Sequence, residues 1–145
     1  MGKSSVKNIP LLGYMFAKLH IQVDRSDKES RSKSMMRSKR ALDSGRSLFI
    51  MPEGGIISQE IPQMHLPLKD GAFLLAIGSK VPIVPISFLN LYEIMPDKTI
   101  FWGRPKVVVH KPIDTSNYSK DNLEELKAKV YQIIQTELNA YKYGN

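Results

Sequence analysis

Cysteine is absent from the sequence of 145 residues, which excludes disulfide bonds, thiol nucleophiles and zinc sites built on cysteine. Histidine is scarce as well. The three histidines, His20, His65 and His110, lie far apart, and none follows a known metal-ligand spacing. The sequence therefore predicts no metal ion.

Long apolar runs are also missing. The longest, Ala72 to Ile77 and Val81 to Leu89, are far shorter than the roughly 20 residues that a membrane-spanning helix needs. The N-terminal residues show no basic segment followed by an apolar one, so a signal peptide is not expected. We therefore expect no transmembrane segment in this chain.

Acidic side chains are fewer than basic ones in this sequence. Fourteen Asp and Glu stand against twenty-one Lys and Arg, which gives a net charge of +7. A balance of this sign favours an anionic partner, such as nucleic acid, anionic lipid or a phosphorylated substrate. Charge alone does not choose among these three classes.

Four helices are predicted from the charge and apolar patterns. A short helix or turn falls between Lys7 and Leu19, and a basic, solvent-facing helix runs from Asp27 to Leu42 and ends at Gly45. Asp70 is predicted to cap a third helix that closes near Gly78. The last helix carries one apolar stripe at helical spacing. Its members are Leu123, Leu126, Val130, Ile133, Ile134 and Leu138.

Strands are predicted between these helices. Leu19 to Asp24 alternates apolar and polar residues, Ser47 to Met51 resembles a buried parallel strand, and Val81 to Leu89 resembles a buried strand interrupted by two prolines. Thr99 to Trp102 and Lys106 to His110 are predicted to form a hairpin. This order favours an α/β fold, with a mixed, mostly parallel sheet flanked by helices, in a single domain.

A sequence of an acid and two glycines, Pro52-Glu53-Gly54-Gly55, directly follows one of the apolar runs. If that run is a strand, the motif places a carboxylate and exposed backbone N–H groups at the edge where open α/β sheets bind ligands. Taken alone, however, the motif is typical of a turn with a solvated glutamate. The large aromatic residues downstream, Tyr92, Phe101 and Trp102, are expected to pack in the interior.

Four segments in sequence order resemble the glycerolipid acyltransferase superfamily. Phe49 to Gly55 is similar to its Phe-Pro-Glu-Gly block, and Ile21 to Arg25 to its apolar strand that ends in Asp-Arg. Leu68 to Ala76 resembles the Phe-Lys-x-Gly-Ala-Phe helix start, and Val81 to Ile86 the fourth block. The order and spacing of all four agree with the family pattern, over nearly the whole chain.

The resemblance implies a single acyltransferase-like domain over residues 1–145. It implies acyl transfer from acyl-CoA or acyl carrier protein to the 2-hydroxyl of 1-acylglycerol-3-phosphate, which yields phosphatidate. The acyl thioester is then a co-substrate and no cofactor is needed. The expected partners are lysophosphatidate, the thioester and an anionic membrane surface, without nucleic acid, and the expected location is the cytoplasmic face of a membrane, as a peripheral protein.

The resemblance also implies roles for individual residues. Arg25 is expected to hold the acceptor phosphate, Glu53 to position the polar head of the acceptor, and Gly54 to allow close approach of the ligand. The family usually places Thr-Arg where this chain has Gly55-Ile56. Lys69 is the candidate replacement for that arginine.

The general base of the family is a histidine with an aspartate five positions later, in a block upstream of the Asp-Arg strand. Before Asp24 this chain has only His20. His65 and Asp70 match the spacing but follow Glu53, so we interpret them as a loop residue and a helix cap. We expect no catalytic residue in this chain, and little turnover by it alone. A non-catalytic module that binds anionic lipid through the basic helix remains the alternative.

Overall fold

The computed structural model of the chain describes residues 2–3, 22–23, 28–54, 63–94 and 102–143. The chain divides into two compact units, Met1–Pro52 and Glu53–Asn145. The helix expected between Lys7 and Leu19 lies outside the described residues. The single-domain organisation stays a prediction.

The first unit contains two short parallel strands and one long helix. Strand β1 (Gly2–Lys3) pairs with β2 (Gln22–Val23), which falls inside the predicted strand from Leu19 to Asp24. Helix α1 (Lys28–Asp43) matches the predicted basic helix to within one residue at each end. Both predictions are confirmed where the structure describes them.

The end of α1 is also the predicted one. Gly45 adopts a φ of 78°, the left-handed conformation that favours glycine. Its N–H donates to the carbonyl of Leu42 at 2.9 Å, and the N–H of Arg46 donates to the carbonyl of Ala41 at 3.0 Å. These two bonds form a Schellman motif, which satisfies carbonyls that would otherwise lack partners at the helix end.

The predicted buried strand from Ser47 to Met51 is wrong. No strand is assigned to residues 46–51, and Phe49 and Met51 are both 51% exposed. The two residues on alternate positions, Leu48 and Ile50, are half-buried. An apolar run becomes a strand only when a neighbouring strand pairs with its backbone, and none of the described strands pairs with this segment.

The second unit surrounds a hydrophobic core with helices and one antiparallel pair of strands. Its described elements are α2 (Asp70–Ser79), β3 (Ile86–Phe88), α3 (Leu91–Ile94), β4 (Val107–Val109) and α4 (Leu123–Tyr143). Helix α4 contacts both α2 and β3. The buried core residues are Met64, Leu68, Phe73, Leu89, Ile113, Leu126, Val130 and Leu138. The apolar stripe predicted for the last helix is confirmed, because three of these residues belong to it.

The prolines interrupt the predicted strand from Val81 to Leu89 as expected. Ahead of β3 a single bridge joins Ile83 to Ile113, and the buried Pro85 uses its carbonyl to accept the N–H of His110 at 3.0 Å. Proline has no N–H to donate, so a regular ladder cannot form through these positions. The strand is reduced to the three residues of β3.

The predicted hairpin is not the described pairing of β4. Thr99 to Phe101 lie outside the described residues, Trp102 is not in a strand, and β4 pairs with β3, with Ser87 opposite Val108. The side chain of Asn90 decides this arrangement. It donates to the carbonyl of Arg104 at 3.1 Å and accepts the N–H of Lys106 at 2.7 Å. These two backbone groups of the expected turn are therefore hydrogen-bonded to Asn90.

Helix α2 begins differently from the prediction, and it ends at Ser79, near Gly78 as predicted. Asp70 is its first helical residue, and the N-cap is Lys69, which makes no side-chain capping bond. The expected cap is wrong because the Asp70 carboxylate lies 2.8 Å from the ammonium of Lys127 instead. At the other end the helix continues past Gly78 and closes on Lys80, whose φ is 52°.

We expect Lys80→Gly to raise the free energy of unfolding by about 1 kcal/mol, because glycine adopts the left-handed conformation without the Cβ clash.

Gly78→Ala is expected to add a further 0.5 to 1 kcal/mol, roughly, because Gly78 is an exposed interior position of the helix with open space around it. Urea unfolding followed by circular dichroism measures both. A destabilising Gly78→Ala would place the helix end at Gly78 and contradict the observed cap.

Candidate functional site

The Glu53–Gly54 turn is joined to the loop that precedes α2. Pro52 and Glu53 form a turn, and the half-buried Glu53 accepts the backbone N–H of His65 through Oε1 at 2.8 Å. Gly54 has a φ of 83°, a conformation that residues with a Cβ adopt only at a cost. The turn predicted from the sequence is therefore present, and its carboxylate orients a loop amide.

A second hydrogen bond fixes the same loop to α4. The N–H of Met64 donates to Oε1 of Gln135 at 3.0 Å. The side chains of Met64 and Leu68 are buried in the core, whereas Leu66 between them is exposed. The loop is thus held at several points, and it leads directly to the start of α2.

Lys69 occupies that start. Its side chain is exposed and its backbone is extended, with a φ of −77° and a ψ of 133°. The first turn of a helix carries backbone N–H groups without intrahelical partners, which favour negative charge. A lysine beside such N–H groups is a suitable contact for an anionic group of a ligand.

The carboxylate of Asp70 would oppose an anion at this place, but a second lysine compensates it. The nearly buried Lys127 lies 2.8 Å from Asp70 and 2.7 Å from Glu124. Hydrogen bonds to Asp70 and then to Glu124 raise the pKa of Lys127, while its burial acts in the opposite direction. The ammonium therefore stays charged, and it offsets part of the charge of Asp70 because it is shared with Glu124.

The predicted site residues are only partly brought together. Glu53 is joined by its hydrogen bond to His65 in the segment of residues 63–69, and Lys69 is the last residue of that segment. Arg25 lies outside the described residues, so its expected phosphate contact stays a prediction. His65 contributes its backbone N–H, and the hydrogen-bond partner of Asp70 is Lys127 rather than His65. The described geometry therefore shows no His65–Asp70 dyad.

Two residues that position the site were not predicted from the sequence. Gln135 holds the Met64 amide and Lys127 neutralises Asp70, each across a long stretch of chain. Both are polar residues of α4 on or beside its buried stripe, and Lys127 directly follows the fully buried Leu126. The only sequence signal for these two residues is a polar side chain beside the apolar stripe of α4. That signal does not indicate which residue it contacts.

The arrangement offers a half-buried carboxylate, a glycine backbone and an exposed cation at a helix start. Such a set suits a ligand that carries a hydroxyl group and an anionic group. Among the described residues no cluster of three or more His, Asp or Glu side chains is arranged to hold a metal ion. In the same part of the chain no helix combines the length and the apolar character that crossing a membrane requires.

Comparisons with known proteins agree with the sequence motifs. The model of a family described as Acyltransferase matches residues 1–89. The 1-acyl-sn-glycerol-3-phosphate acyltransferase of Saccharomyces cerevisiae is 33% identical over 139 residues, which is 92% of this chain and 46% of the yeast protein. The Haemophilus influenzae protein of the same name is 28% identical over 142 residues, 95% of this chain and 57% of that protein.

A solved structure shows the same fold. The crystal structure of the 1-acyl-sn-glycerophosphate (LPA) acyltransferase from Thermotoga maritima superposes with a TM-score of 0.78. The match covers 98% of this chain and 56% of that chain, at 20% sequence identity. The predicted α/β fold is thereby confirmed. The chain spans about half the length of the curated relatives it matches, at 46% and 57% of the two described above.

Proposed function

Because the chain belongs to the acyltransferase family, we propose that it functions in acyl transfer from a thioester to the 2-hydroxyl of 1-acylglycerol-3-phosphate, yielding phosphatidate. The observation that carries the proposal is the similarity to relatives named for this activity, which extends over 92% and 95% of the chain. The proposal is also supported by the hydrogen bond from the His65 N–H to Glu53 and by the exposed Lys69 at the start of α2, because these groups suit a phosphorylated glycerol.

The residues then take separate roles in binding the acceptor. Lys69, with the N–H groups of the first turn of α2, contacts the phosphate. For Arg25, binding of the phosphate remains the role that the family resemblance implies. Gly54 permits close approach of the glycerol portion. Glu53 accepts the His65 N–H and, in this proposal, also accepts a hydrogen bond from the acceptor.

The remaining partners follow from the same reaction. The acyl donor is a thioester on coenzyme A or on acyl carrier protein. The acceptor is a lipid, so the proposed location is the surface of an anionic membrane, on its cytoplasmic face, with the protein bound peripherally. Nucleic acid has no role in this scheme.

The proposal is tested by measuring binding and turnover of the chain by itself. We expect lysophosphatidate to bind, and Lys69→Gln to weaken that binding about fivefold to tenfold, because one phosphate contact is lost. The control Lys129→Gln removes the same charge from an exposed position on α4 and should bind as the parent chain does. Palmitoyl transfer is expected to be undetectable, with or without His65→Ala.

Two results would contradict these expectations. If the chain transferred palmitate and His65→Ala abolished the transfer, His65 would be the general base that we do not assign. If the chain failed to bind lysophosphatidate, or if Lys69→Gln and Lys129→Gln weakened binding equally, the acceptor site would be wrong.

The alternative function, a lipid-binding module that uses α1, has less support. Ser34 and Ser38 are buried, and basic side chains do occupy the exposed positions of this helix. However, Lys33 pairs with Glu29 at 2.6 Å, and Lys39 pairs with Asp43 at 3.0 Å. These pairs reduce the positive charge that α1 offers to an anionic surface.

A further inference from the structure

The outer face of the strands β3 and β4 carries apolar side chains, while the inner face carries Ser87 and, opposite it, Val108, which packs against the core. Ser87 is fully buried, and its Oγ lies 2.8 Å from Nε2 of the half-buried His110. On the opposite face, Val107 and Val109 of β4 are 44% and 66% exposed. The solvated face of an antiparallel sheet normally carries polar residues, so this exposed apolar face has the composition of a surface that is covered.

The register makes the outer face continuous. Ile86 lies opposite Val109, and Phe88 lies opposite Val107, so two apolar cross-strand pairs share that face. Residues 107–111 alternate strictly between exposed and half-buried, with Lys111 as the next exposed position after Val109. Val84, two residues before Ile86, is exposed as well. The face is therefore aliphatic and aromatic, with a cation at one end.

Trp102, the only tryptophan of the sequence, is fully exposed, which contradicts the expectation that it packs in the interior. The segment that carries it is nevertheless fixed. Gly103 lies close to Ile94, because a Cβ added to Gly103 would be only 2.9 Å from Cγ1 of Ile94. The two hydrogen bonds from Asn90 hold the backbone at Arg104 and Lys106. The indole of Trp102 is therefore exposed although the backbone next to it is fixed by these contacts.

The charges around this face are of one sign. Residues 102–111 include three cationic side chains, Arg104, Lys106 and Lys111, and no acidic one. Lys106 is turned towards α4, with its ammonium 4.8 Å from the centre of the Tyr141 ring. Arg104 and Lys111 remain exposed. Tryptophan, exposed aliphatic side chains and Lys or Arg together are the residues that occupy the interface of an anionic bilayer.

We propose that the outer face of β3 and β4, with Trp102, Arg104 and Lys111 at its margins, rests on an anionic phospholipid bilayer. The aliphatic side chains and the indole enter the interfacial layer, and the two cations contact lipid phosphates. This inference deepens the proposed function, since it names the surface by which the chain reaches a lipid acceptor. Vesicle binding requires no turnover, so failure of either proposal leaves the other testable.

The single tryptophan is the probe. We expect the emission of Trp102 to shift to the blue when the chain is mixed with vesicles of phosphatidylglycerol and phosphatidylcholine, and to be quenched by brominated lipid. Val107→Thr/Val109→Thr keeps β-branched residues at exposed positions and should weaken partitioning about tenfold. Arg104→Gln/Lys111→Gln should also weaken it about tenfold at low salt and reduce its salt dependence.

A matched pair on α1, Arg37→Gln/Arg40→Gln, removes the same net charge from exposed positions and is expected to change partitioning less than twofold, roughly. Equal losses from the two charge pairs would mean that binding follows net charge alone, which overturns the proposal. An unshifted Trp102 emission with vesicles also overturns it. So does a blue shift that depends on protein concentration without lipid, because a second copy of the chain would then cover this face.

Discussion

Glu53→Ala is expected to lower the affinity of the chain for lysophosphatidate by about 10- to 100-fold, the largest effect that we predict on binding. The carboxylate of Glu53 accepts the N–H of His65 at 2.8 Å, and alanine leaves that amide without its acceptor. The segment of residues 63–69, which ends at Lys69, then loses its hydrogen bond to Glu53. Calorimetric titration measures the affinity, and hydrogen exchange at the His65 amide reports the loop itself.

Glu53→Gln is the matched variant, because the amide oxygen of glutamine can still accept the His65 N–H while the negative charge is gone. We expect it to keep the His65 amide protected and to bind within about tenfold of the parent chain. If glutamine were as damaging as alanine while the amide stayed protected, the charge of Glu53 would act directly on the acceptor. The contact of the carboxylate with the acceptor would then account for the loss of affinity, and the hydrogen bond to His65 would not.

The sequence predicted well the elements whose pattern repeats over many residues. Helix α4 shows one apolar stripe over several turns, and α1 ends at a glycine that supplies the positive φ of the observed cap. In both cases the information lies within the element itself, so no knowledge of its neighbours is needed. The family resemblance rested on four such local segments, and the fold comparison agrees with it.

The errors arose where a distant partner decides the structure. Asp70 has the residue type of a cap, yet Lys127 takes its carboxylate, and Asn90 takes the backbone groups expected to form a hairpin turn. Ser47 to Met51 has the composition of a strand but no described strand beside it. The residue pattern along the chain indicates local secondary-structure propensity. These outcomes depend instead on side chains that are distant in sequence and close in the folded protein.

The candidate site divides in the same way. The motif around Glu53 and Gly54 was visible because a carboxylate and a glycine follow an apolar run, and Lys69 was found through the family pattern. The contacts that fix the site, from Gln135 to Met64 and from Glu53 to His65, join residues far apart in sequence or atoms of the backbone. Neither kind of contact leaves a signature in the residue pattern of one sequence.

Leu126→Ala should lower the free energy of unfolding by about 3 kcal/mol, within the range of about 2 to 5 kcal/mol for buried leucines. Leu126 is fully buried at the point where α4 packs in the core, one residue before Lys127. Leu123→Ala makes the same chemical change one turn earlier, at a half-buried position, and is expected to cost less than half as much. Urea unfolding followed by circular dichroism suits the comparison, because the exposed Trp102 is a poor reporter of the core. Equal losses in the two variants would mean that Leu123 at the start of α4 is as deeply buried as Leu126, which contradicts the observed packing of the helix.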